Sequence, residues 1–175
     1  MLQVGLIGLG FISVEHVLGY VNCDDARIVA VCDTDAATAQ AWQTKHRLED
    51  ATYYCNYQKM LANEDLDIVE ILAPHHVHCE MVEASALAGV RGISVQKPMG
   101  VSLHEADRMI EVCRERSAML RVYENAIFFP AYRKAKELMD EGLIGELISI
   151  RSHTAVGVRD GLARSDWPGF WSPES

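Results

Sequence analysis

The sequence predicts an α/β fold: a doubly wound parallel sheet, then the start of a second domain built on an open α+β sheet. Three observations carry this expectation. Short apolar runs alternate repeatedly with amphipathic stretches of helical length. Turn-forming glycines fall at the joints between them, and Met1 leads almost directly into the first apolar run. After Asn125 the pattern changes from β–α alternation to one helix and a long polar–apolar alternating segment. Such alternation favours a parallel sheet covered by helices on both faces.

The first strand runs through Val4–Ile7 into Gly8-Leu9-Gly10, and a helix is expected to open near Phe11. Gly8 suits a tight turn, and Gly10 leaves the backbone bare of a Cβ. The head of a helix at Phe11 and Ile12 offers backbone N–H groups and the positive end of its dipole. That combination is what a dinucleotide pyrophosphate requires. Ser13 stands at the third fingerprint position, where Gly or Ala would pack more closely.

The second strand, Arg27–Cys32, ends at Asp33, twenty residues beyond Ser13. A carboxylate there accepts hydrogen bonds from the adenosine ribose and repels a 2′-phosphate, which favours NAD over NADP. The competing assignment is that Asp33 and Asp35 merely cap the next helix.

Further along, helices are expected at 36–45, 58–62 and 78–88, the last closed by Gly89. Strands are expected at 67–72, 92–95 and 120–122. Ser102 and Glu105 have capping-box spacing ahead of Leu103, Ala106, Met109, Ile110 and Cys113, an apolar helical stripe. Residues 1–125 would then form the cofactor domain, and 126–175 the beginning of a second. In that second part a helix over 131–141 ends at Gly142. Residues 146–156 alternate as an edge strand would, and an aromatic tail follows at Trp167–Pro173.

Composition narrows the function classes. Of 175 residues, 49% are hydrophobic, enough for a sizeable core, and the net charge is −9. An acidic chain lacks the basic stripe that a nucleic-acid partner would need. The five cysteines form no Cys-x-x-Cys and read as reduced thiols of a cytoplasmic protein. No apolar stretch approaches membrane-spanning length. His75, His76, His78 and Cys79 form a dense group, but no second ligand cluster accompanies them, so no metal site is expected.

Chemistry in such a sheet belongs beyond the carboxyl ends of the strands. Ala73, Pro74, His75 and His78 follow the third apolar run of this kind; Gln96, Lys97 and Pro98 follow the fourth. Lys97 is the candidate proton donor to a substrate oxygen, with burial tuning it. The alternative is a solvated lysine before a turn. His75 and His78 are expected to line the cofactor edge, with His76 exposed.

The runs VGLIGLGFIS, AVCDTD, LDIVEILAPHHVHCEMVEASALAGVRGISVQKP and ENAIFFPAYRKAKELMDEGLIGEL together resemble the Gfo/Idh/MocA oxidoreductases. The resemblance implies a Rossmann domain followed by a large open-sheet domain. It also implies NAD(P)-dependent hydride transfer at a sugar, cyclitol or related polyol carbon. The family's Thr-Pro-Asn-x-x-His segment falls on Ala73, Pro74, His75 and His78, so two of its positions differ here. Its Glu-Lys-Pro falls on Gln96, Lys97 and Pro98, which gives Lys97 the substrate-oxygen role. Gln96 keeps hydrogen-bonding capacity toward the nicotinamide ribose without the charge. Its Asn-x-Arg-Phe-x-Pro falls on Asn125, Ile127, Phe128 and Pro130, with Ile127 replacing the arginine.

The resemblance further implies an Asp and a His beyond residue 175, so the chain reads as a piece of a longer parent. That parent would be a homo-oligomer acting on a small sugar or polyol. Three functions follow as expectations. The leading one is a dehydrogenase. A non-catalytic dinucleotide-binding relative is the second, and a lyase or NAD-dependent glycosidase on the same scaffold is the third.

Overall fold

The computed structural model of the protein describes residues 1–151 and 153, apart from the side chains of residues 125 and 126. Met1–Tyr123 forms one compact unit, and a second begins at Glu124.

The first unit holds a six-stranded, all-parallel sheet: β1 (Leu2–Ile7), β2 (Ala26–Cys32), β3 (Thr52–Tyr54), β4 (Ile68–Ile71), β5 (Gly92–Gln96) and β6 (Met119–Tyr123). The strand order is β3-β2-β1-β4-β5-β6, as in a Rossmann fold. The helices are α1 (Ser13–Val21), α2 (Ala36–His46), α3 (Tyr57–Asn63), α4 (His78–Leu87) and α5 (Leu103–Glu115). Strand β3 was not expected. It is a three-residue edge strand, too short to show periodicity, although Thr-Tyr-Tyr carries high β-propensity.

Period-2 alternation, shifted once in β2 by an extra residue at Val29, sorts the strand residues into two cores. Val4, Leu6, Ile28 and Val31 pack with Val17 of α1 and with Ala39 and Trp42 of α2. Ile7, Val69, Ile71, Ile93 and Val95 pack with Met60, Val82, Ala86, Met109 and Cys113 of α3, α4 and α5. The sheet is therefore covered on both faces, which is why its strands read as nearly continuous apolar runs.

Local signals define the helix ends. Asp35 caps α2 by accepting from the Ala37 amide, Asn56 caps α3, and Ser102 caps α5. Only half of the expected capping box forms, because the Glu105 carboxylate accepts from the Val101 amide instead of from Ser102. Gly89 follows α4 with φ +89°, the left-handed closure expected of it.

In the second unit, Asn125–Phe128 is a 3₁₀ turn and α6 spans Pro130–Asp140, followed by Gly142 at φ +71°. The strand expected over 146–156 does not form across Glu146–Arg151. Ile148 is 94% exposed there, with no neighbouring strand among the described residues to satisfy its backbone. The rest of that segment, and the aromatic tail Trp167–Pro173, lie outside the described residues. Among the described residues no helix is long and apolar enough to cross a membrane.

Candidate dinucleotide and substrate site

Strand register brings the predicted residues to one edge. Ile7 pairs with Cys32 and Ile71, and Ile71 pairs with Val95. The residues that follow these four therefore emerge together at the carboxyl edge of the sheet. The strand order reverses at β1, which opens a crevice there.

Gly8 leaves β1 at φ +92° and its amide donates to the Cys32 carbonyl at 2.8 Å. A Cβ at Gly8 would stand 2.8 Å from the Ala73 amide nitrogen, so the end of β4 closes directly over it. A Cβ at Gly10 would meet nothing within 4 Å, leaving open space above the loop. The Asp33 carboxylate points into this loop and does not cap α2. One oxygen accepts from the Leu9 amide at 2.9 Å, the other from the Asp35 amide at 3.0 Å. Beside it, burial first and the Asp33 charge second push the Cys32 thiol up to about 12, so it stays protonated.

The first helix begins at Ser13, two residues later than expected. A tight turn precedes it, in which the amides of Ser13, Val14 and Glu15 donate to the carbonyls of Gly10, Phe11 and Ile12. The amides of Gly10 and Ile12 stand ahead of the first of these bonds, and Phe11 is 72% exposed. The packing loss expected from Ser13 is offset. Its fully buried hydroxyl donates to Gly10 O at 2.5 Å and accepts from Trp42 Nε1 at 2.8 Å. Ser13 thus pins both α2 and the loop.

After β4, Ala73 and His75 are half-buried, while Pro74 and His76 are exposed. The cofactor role expected of His78 does not fit its surroundings. The ring is 1% exposed and surrounded by three carbonyls. Ala73 O lies 2.8 Å from Nε2, and Pro98 O and Met99 O lie 3.0 and 3.3 Å from Nδ1. Both ring nitrogens thus face loop carbonyls, and the neutral ring can donate to only one side, with no nitrogen left to face a ligand. Burial holds its imidazole below the ordinary range, against the opposite pull of the carbonyls. Among the described residues no three His, Cys, Asp or Glu side chains converge as metal ligands.

Lys97 is exposed, because it lies just past the end of β5, where no helix of this unit covers it; the burial expected to tune it is not found. The Lys97–Pro98 peptide is cis. Gln96 turns its amide inward: Oε1 accepts from the Lys97 amide at 2.8 Å, and Nε2 lies 3.4 Å from Nε2 of His16. Asn125 opens the 3₁₀ turn of the second unit, and its side chain lies outside the described residues.

The principal residues missed from sequence are His16, Glu70 and Tyr20. His16 on α1 is 4% exposed and Glu70 on β4 is 6% exposed. The Glu70 carboxylate takes His16 Nδ1 at 2.5 Å on one oxygen and the Tyr20 hydroxyl at 2.7 Å on the other. Burial, then the Glu70 charge, raise the Tyr20 phenol far above its ordinary range. The signal was available: a lone carboxylate inside Ile68-Val69-Glu70-Ile71 cannot stay buried without donors.

Residues 2–124 match the model of the oxidoreductase family with an NAD-binding Rossmann fold. D-apiose dehydrogenase of Paraburkholderia graminis is 35% identical over 144 residues, 80% of this chain and 36% of that protein. Inositol 2-dehydrogenase of Salmonella typhimurium is 28% identical over 85% of this chain and 44% of its own length. An oxidoreductase from Agrobacterium radiobacter, solved with NAD+, L-tartaric acid and magnesium, superposes with a TM-score of 0.78. It is 28% identical, and the match covers 83% of this chain and 42% of that one. The chain thus spans about two-fifths of the length of the proteins it matches. With the family model covering most of its length and the strand order agreeing, the chain belongs to the Gfo/Idh/MocA oxidoreductases.

Proposed function

We propose that residues 1–125 bind NAD and that 126–175 open the substrate domain of a dehydrogenase acting on a sugar, cyclitol or related polyol. The observation that carries this reading is the Asp33–Leu9 bond, which holds an acid against the Gly8–Gly10 loop. NAD, when bound, supplies the hydride acceptor. The residues present fit it, since the space above Gly10 is open and the amides of Gly10 and Ile12 precede the first helical bond. Together with Phe11 they hold the diphosphate. Asp33 keeps unused lone pairs for ribose hydroxyls, and its charge repels a 2′-phosphate. Ala73, Pro74 and His75 border the nicotinamide end, and Gln96 its ribose. Lys97 handles the proton at the substrate oxygen. The relatives named for apiose and inositol support the substrate class.

The test is a fluorescence titration of NADH and NADPH against the wild type and Asp33→Arg. The wild type is expected to bind NADH in preference to NADPH, and the variant to reverse that order. No binding by the wild type would overturn the reading. A dinucleotide-binding protein without turnover is the second reading, favoured by the Gln96 amide being engaged inward. It predicts that Lys97→Ala in the parent leaves every rate on polyols at background, as in the wild type.

A further inference from the structure

At the junction of α1, β4 and β5 a chain of polar groups, whose bonds have a direction, leads from the buried Glu70 and His16 to the assigned residues Gln96 and Lys97. Glu70 offers only acceptors, so the His16 nitrogen facing it, Nδ1, must donate. The other nitrogen, Nε2, then faces the Gln96 amide with a lone pair, and the Gln96 NH₂ donates to it across 3.4 Å. This leaves Gln96 Oε1 as the atom that accepts the Lys97 amide. The Tyr20 hydroxyl occupies the second Glu70 oxygen. The Tyr123 ring lies 4.1 Å from the His16 ring, centroid to centroid, tilted by 43°. Every hydrogen bond in the chain has one donor and one acceptor, and reversing His16 would set two donors against each other.

We propose that His16, oriented by Glu70, is a positioning residue that fixes the Gln96 amide and through it the backbone of Lys97 where the chain leaves β5. The same helix carries the Ser13 turn, so the pair also ties the Gly8–Gly10 loop to the end of β5. Acting on a bound nicotinamide rests on the dinucleotide reading above; the orientation of Gln96 and Lys97 does not.

Three measurements on the 175-residue chain test it. Two-bond ¹H–¹⁵N correlations of the His16 ring are expected to show a proton on Nδ1 and a bare Nε2; a proton on Nε2 alone would overturn the proposal. Amide hydrogen exchange is expected to speed about tenfold at Lys97 in His16→Phe, which keeps the ring against Tyr123, with Val95 unchanged. His16→Gln, which restores a donor and an acceptor, recovers protection. Unchanged Lys97 exchange in a folded His16→Phe would also overturn it; if that variant does not fold, the ring correlations decide. For the cofactor arm, His16→Phe is expected to weaken NADH several-fold while ADP-ribose binds as in the wild type. Equal losses for both would reduce His16 to general stability. A wild type that binds neither ligand would remove the dinucleotide reading while the exchange result stands.

Discussion

Asp33 Oδ2 accepts the Leu9 amide at 2.9 Å, so the acid at the end of β2 holds the loop that leaves β1. The two residues are 24 positions apart, and the parallel register of β1 and β2 brings them together. The same carboxylate is thus both a loop anchor and the candidate ribose ligand. Asp33→Asn keeps the size of the side chain but loses the charge on this bond. It is expected to lower stability by about 1–2 kcal/mol in urea unfolding and to weaken NADH at least tenfold by fluorescence. A variant with wild-type affinity would separate Asp33 from the ribose.

Gly8 and Gly10 make opposite demands. Ala at Gly8 would carry a Cβ into the Ala73 amide at 2.8 Å and hold a non-glycine residue at φ +92°. The cost expected is about 3 kcal/mol of unfolding free energy. Ala at Gly10 meets open space, so stability should stay within about 1 kcal/mol while NADH affinity falls tenfold or more. Thermal unfolding and cofactor titration on both variants separate the turn requirement from the ligand requirement.

Ser13→Ala would leave Trp42 Nε1 buried with no acceptor. A loss of about 1–3 kcal/mol is expected. Ser13→Ala combined with Trp42→Phe should cost less than the two changes summed, because the orphaned donor is gone. A double-mutant cycle by chemical denaturation reads this directly.

Stability should fall as the pH drops from 7 to 5. Burial lowers the imidazoles of His78 and His46 in the folded chain, so the unfolded chain takes up their protons first, at about pH 6.5. The loss sets in as the pH approaches that value from above, and each proton taken up steepens the slope by up to about 1.4 kcal/mol per pH unit. His46 Nε2 is buried with no partner among the described residues. His46→Phe should therefore flatten its share of the slope at little cost at pH 7. His78→Phe should flatten more and cost more, since the one N–H that the neutral buried ring donates to a loop carbonyl is lost. Urea unfolding between pH 5 and 8 measures both.

Much of the fold was legible in order along the chain. The Gly8–Gly10 turn, the Gly89 and Gly142 closures and the Ser102 cap are local features that act near where they are read, whereas the carboxylate ending β2 was legible by its spacing but holds Leu9, 24 positions away. Strand β3 escaped because three residues have no period, and the 146–156 alternation misled because a strand exists only once another backbone pairs with it.

What the amino-acid order decided by itself is the sequence of strands and helices, the amphipathic faces, and which chemical groups stand at the strand ends. Tertiary structure alone decided their alliances. His78 serves carbonyls and not a ligand, Ser13 holds Trp42, and Glu70, His16 and Gln96 form one buried chain across 80 residues. The reason is that a buried polar atom must find a partner wherever the packed chain provides one. Spacing along the sequence carries no record of which distant strand or helix will supply it.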